Sequence, residues 1–172
     1  MKLSIKRFKI TNPKLDYTII EIFDEDKIEE FYKIDTNYYI ESENNYSEKK
    51  GAIIHYPLGY DIQINGGTIK KIENKMILHT ITTLSGSSGS PIITLDNNNI
   101  IIGIHKGDNI KKQVNGGIYM KYILDDIEKK LNNYIQQKES FQFIGEKIEI
   151  ENNDQNIKFH ILVFQELDYI HK

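Results

Sequence analysis

The segment Gly86-Ser87-Ser88-Gly89-Ser90-Pro91 brackets a hydroxyl with two glycines and ends in a proline. A serine held in such a turn can offer its oxygen to a carbonyl carbon. It then needs a base to take its proton and N–H groups to face the oxyanion that forms. Gly86 permits a backbone conformation closed to residues with a Cβ. The same residues also suit an ordinary connection between strands. Histidine is the usual base, and the chain has five, His55, His79, His105, His160 and His171. His105 sits in an apolar run, where a lone histidine is ordinarily a satisfied core residue. No spacing of histidine, aspartate and glutamate suggests a metal site. The acidic residues of 24–48 lack the regular spacing and the glycine of a calcium loop, and they read as a solvated face. No cofactor is expected.

The elements that must position Ser88 are mostly strands. Residues 1–23 predict two. Leu3, Ile5 and Ile10 lie in the first, and the β-branched and aromatic run 16–23 forms the second. Residues 24–50 read as a long connection. Strands resume at 51–55, 61–65 and 68–83, with Gly66-Gly67 expected as a hairpin turn between the last two. Runs 91–95 and 100–105 predict a hairpin around Asp96-Asn97-Asn98-Asn99, and a short strand follows at 118–120. The period then changes. Ile123, Ile127, Leu131 and Ile135 recur every four residues, the mark of an amphipathic helix. Strand-like runs return at 141–144, 147–151 and 159–164.

Composition narrows the function. The 172 residues are 39% hydrophobic and 27% charged, ordinary for a globular fold. A net charge of −3 gives no reason to expect nucleic acid or an anionic membrane as partner. Without cysteine there is no disulfide and no thiolate metal site. The first residues lack the apolar run of a signal peptide, and no apolar stretch approaches the length that spans a bilayer. The compartment is left open.

Taken together, several segments resemble the chymotrypsin-like serine peptidases, in particular their glutamyl endopeptidase and exfoliative-toxin branch. Residues 82–91 resemble the nucleophile loop with its preceding threonines. Asp16-Tyr17-Thr18-Ile19-Ile20-Glu21-Ile22 resembles the strand that carries the triad aspartate. His55-Tyr56-Pro57-Leu58-Gly59 resembles the turn of the second barrel, and Ile102-Gly103-Ile104-His105 the strand beside the specificity pocket. The resemblance implies Ser88 as nucleophile, Asp16 as the carboxylate that orients a histidine, and the Gly86 and Ser88 amides as the oxyanion hole. It also implies that Thr83 and His105 line a pocket for an acidic side chain, which leaves the core reading of His105 standing beside this one.

In that family the catalytic histidine precedes the aspartate by several strands, and no histidine precedes Asp16. His55 and His79 are expected as strand residues at the barrel surface rather than as substitutes. The expected fold is therefore mainly β: the second antiparallel chymotrypsin-like barrel with the first largely absent, a C-terminal helix, and a short β-rich tail. Residues 1–137 would form a partial peptidase domain and 138–172 an extension. The expected function is a serine-type endopeptidase, incomplete or inactive as this chain. The alternative is a non-catalytic module that binds peptides or proteins. The expected partners are a peptide or protein substrate and either the missing first barrel or a second copy.

Overall fold

Isoleucine dominates the apolar positions, and its branched side chain suits the pleated surface of a strand. The computed structural model describes residues 7–28, 30–35, 43–96, 99–109 and 114–140. Two strands come first, β1 (Lys9–Asn12) and β2 (Tyr17–Ile20), paired antiparallel as a ribbon. Six more follow: β3 (Lys50–His55), β4 (Gln63–Glu73), β5 (Met76–His79), β6 (Pro91–Thr94), β7 (Ile101–Asn109) and β8 (Val114–Tyr119). They close into an antiparallel barrel in the order β3-β4-β5-β8-β7-β6. Helix α1 (Met120–Ser140) follows β8 directly and runs past residue 137. The fold is mainly β, a six-stranded barrel with a C-terminal helix.

The barrel fills itself by pairing large residues with none. Ile53, Ile69, Ile77 and Ile92 are fully buried. A Cβ added to Gly103 would lie 2.4 Å from the Ile77 Cδ1, and one added to Gly117 would lie 2.4 Å from the Ile92 Cδ1. Alternating large and small positions let a small barrel close around its own side chains. A second apolar cluster joins Ile10, Tyr17 and Ile19 of the ribbon to Ile123 and Ile127 of α1 and to Ile104 and Ile118 of the barrel. The ribbon is also tied to the helix by polar contacts. Asn12 Nδ2 donates to Asp126 Oδ2 at 2.8 Å, the Tyr17 hydroxyl donates to the same oxygen, and Lys130 pairs with Asp126 at 2.8 Å.

The structure corrects three expectations. Gly66-Gly67 is not a turn, because β4 runs straight through it. Its second glycine is needed for close approach: a Cβ at 67 would stand 2.8 Å from the backbone of Ile81. The hairpin turn lies at Asn74 and Lys75, both left-handed (φ 50° and 70°), which matches the twist of the strands it joins. Asp16 does not begin a strand. It occupies the turn before β2 with φ 57°, a conformation aspartate tolerates. His55 and His79 are not at the barrel surface; they are 1% and 0% exposed. Each lies two residues from an inward isoleucine, Ile53 or Ile77, so strand alternation turns them inward as well. Leu3, Ile5 and the expected tail strands fall outside the described residues.

Candidate functional site

The loop between β5 and β6 carries Ser88, and its shape comes from bonds at both ends. The Ser87 amide donates to the Leu84 carbonyl at 3.1 Å, and the Ser90 amide to the Ser87 carbonyl at 3.2 Å. Strand β7 grips the exit: the Gly89 amide donates to the His105 carbonyl at 2.7 Å, and the His105 amide to the Ser90 carbonyl at 2.8 Å. On the other side the Leu58 amide donates to the Ser85 carbonyl at 2.7 Å. Gly86 and Gly89 have φ of +87° and +85°. A Cβ at 86 would also stand 3.3 Å from the Leu58 nitrogen and the Tyr56 carbonyl oxygen. Both the dihedral and the crowding require glycine there.

Ser88 is half-buried at this elbow. Its hydroxyl donates to the Lys106 carbonyl at 3.0 Å. Among the described residues, neither the Gly86 nor the Ser88 amide donates a hydrogen bond. Lys106 also links Ser88 to Asp16, since its Nζ lies 3.3 Å from Asp16 Oδ2. Ser88 and Asp16, 72 positions apart in sequence (88 − 16), thus each touch one residue of β7, at its carbonyl and at its side-chain ammonium.

The histidines go elsewhere. His55 Nδ1 lies 2.7 Å from the Ser87 hydroxyl, which also accepts from the Leu84 amide at 3.2 Å. Both His55 and Ser87 are 1% exposed, and burial lowers the His55 pKa. Among the described residues, His55 Nε2 is buried without a hydrogen-bond partner. His79 and His105 meet inside the barrel from β5 and β7, two strands that β8 separates. The Ile81 amide donates to His79 Nδ1 at 3.2 Å. The His79 proton therefore sits on Nε2, which donates to His105 Nδ1 at 3.3 Å. Burial first, and the neighbouring His105 second, push the His79 pKa down to about 3.

Thr83 is half-buried, and no hydrogen bond joins it to His105 among the described residues. The structure thus links Ser88 and Asp16 through opposite ends of Lys106, its carbonyl and its ammonium, and places His105 in the barrel interior. Ser87 and Lys106 carry no signal in the sequence, and His55 is expected there at the barrel surface. The alternation from Ile53 to His55, like that from Ile77 to His79, is the signal for an inward imidazole.

Among the described residues, no three of the types histidine, cysteine, aspartate and glutamate gather where they would hold a metal ion. No family model matches the chain. Among solved structures the chain is similar to Rv3671c from M. tuberculosis H37Rv, crystallised as an inactive serine-to-alanine mutant. The identity is 15% and the TM-score 0.41, over 58% of this chain and 51% of that one. The chain thus spans about half the length of the solved protein it matches.

Proposed function

We propose that this chain carries the nucleophile half of a serine-type endopeptidase site. The reading is supported above all by the elbow: Ser88 stands half-exposed between two left-handed glycines, with the Gly86 and Ser88 amides uncommitted. In the reaction the Ser88 oxygen attacks a peptide carbonyl while its proton passes to a base. The two amides stabilise the oxyanion, the C–N bond breaks, and water releases the acyl group. Asp16 would orient the imidazole that serves as base. None of the described histidines makes a hydrogen bond to Ser88, and all three are 2% exposed or less. No described histidine is placed to serve as that base, and with no histidine preceding Asp16 the chain alone is expected to turn over no peptide.

A second reading, a non-catalytic peptide- or protein-binding module, is favoured by two observations. The Ser88 hydroxyl is spent on the Lys106 carbonyl, and Tyr56, Leu58 and Leu84 beside the elbow are each more than half exposed. Small-molecule rescue separates the two readings. With a fluorophosphonate probe alone, no labelling is expected. With imidazole added, Ser88 should be labelled, and Ser88→Ala should abolish the signal. A chain that binds peptides yet stays unlabelled in saturating imidazole is the module.

The acid-directed preference is the finer part of the proposal. It rests on Thr83 and His105, and a bound glutamate would have to draw His105 away from His79. Matched Glu- and Gln-containing peptides test it, and equal affinity for the two removes the preference.

A further inference from the structure

We propose that His55 is a positioning residue for the elbow and acts through the side chain of Ser87. The proposal rests on the peptidase reading of Ser88 for its functional meaning and on geometry alone for the contact. Three observations converge on it. The Ser87 hydroxyl is buried one residue before Ser88, so any shift of Ser87 moves the Ser88 oxygen and amide directly. That hydroxyl takes part in two hydrogen bonds, one from the Leu84 amide at the loop's entrance and one with His55 Nδ1. The second is the shorter, at 2.7 Å. It runs from the last residue of β3, which is part of the closed barrel.

The Leu84 N–H fills one lone pair of the Ser87 oxygen. The O–H and the second lone pair are left to meet His55 Nδ1, as donor to one imidazole tautomer or as acceptor from the other. A buried polar atom without a partner, such as His55 Nε2, is costly, and a leucine or phenylalanine at 55 would avoid that cost. Histidine retained there is accounted for by the bond its other nitrogen makes. The loop's backbone bonds close the turn, and among the described residues only the His55–Ser87 pair anchors its interior side chain to the barrel wall. The elbow is therefore clamped from inside by His55 and from outside by the Leu58 amide on Ser85.

The test uses the full chain and four variants, His55→Leu, His55→Asn, Ser87→Ala and the His55→Leu/Ser87→Ala double. Asparagine can place a polar atom near the Nδ1 position; leucine cannot. Two readouts are taken under conditions where every variant is folded. The first is amide hydrogen exchange at Leu84, Ser87, Gly89 and Ser90, with Ile69 and Thr80 as barrel references. His55→Leu and Ser87→Ala should each speed exchange at the elbow by about tenfold relative to the references. The double should add little beyond either single, and His55→Asn should restore most of the protection. The second readout is imidazole-dependent labelling of Ser88, which should fall in the same order. Unchanged elbow exchange in His55→Leu, or exchange rising equally at Ile69 and Thr80, overturns the proposal. If the wild-type chain is never labelled but the exchange pattern holds, the peptidase reading fails and the His55–Ser87 clamp stands.

Discussion

Buried His79 should make the stability of this chain depend on pH between neutrality and mild acid. Its imidazole is 0% exposed, and its pKa lies near 3 in the native state, against roughly 6.5 for an unfolded chain. Between these two values the unfolded state binds a proton that the native state refuses. Stability from this group is therefore complete above about pH 6.5 and is lost as the pH falls toward 3, at about 1.4 kcal/mol per pH unit. At pH 4.5, about two units below the unfolded value, the loss should be roughly 2 to 3 kcal/mol. Two carboxylates, Asp26, hydrogen-bonded to Arg7, and Asp126, hydrogen-bonded to Lys130, Tyr17 and Asn12 despite its burial, are held below the usual carboxylate pKa, so their own contributions are lost at more acid pH. A difference between two proteins removes them. Urea unfolding of wild type and His79→Gln should be compared at pH 7 and 4.5. Glutamine can still donate near the Nε2 position toward His105 but does not titrate. The variant should be the less stable at pH 7, because the Ile81 amide loses its acceptor. The gap should narrow or reverse by about 2 to 3 kcal/mol on moving to pH 4.5. A gap that stays the same at both pH values would refute the assignment of His79 as a neutral, buried imidazole.

Three further substitutions probe the frame. Gly67→Ala forces a methyl against the Ile81 backbone and should cost about 1–3 kcal/mol in denaturant unfolding, where a true turn glycine facing solvent would not collide. Gly86→Ala imposes a left-handed alanine and crowds Leu58, and should cost about 1–2 kcal/mol while lowering any imidazole-dependent labelling of Ser88. Tyr17→Phe removes one of three donors to Asp126 and should cost about 1–2 kcal/mol, read as a lower urea midpoint with an unchanged slope.

The barrel and the helix were legible because their signals are periodic. Alternating isoleucines mark the strands, and Ile123, Ile127 and Leu131 mark one face of α1. The elbow was legible too, since Gly86 and Gly89 each occupy the left-handed region that their type permits. The hairpin was misplaced for a physical reason: a glycine pair serves equally for a turn and for close packing, and only the position of Ile81 tells the two apart. Lys75 at φ 70° gives no such signal in its type. The histidine contacts were beyond reach because they join strands far apart in sequence. His55 meets Ser87 across 32 positions and His79 meets His105 across 26, and strand order, not periodicity, decides which inward side chains touch.

The docking of the first ribbon on the last helix has a consequence for the order in which the chain can fold. Asn12 and Asp126 are 114 positions apart, and Lys130 reaches the Thr11 carbonyl across 119. At a ribosome adding about 5–20 residues per second, β1 and β2 wait roughly 5 to 25 s before their partner exists. During that interval Ile10, Tyr17 and Ile19 have no helix to cover them. A two-stranded ribbon is marginal by itself, so it gains lasting structure only when α1 emerges. The ribbon that brings Asp16 to Lys106 is thus made well before the helix that secures it.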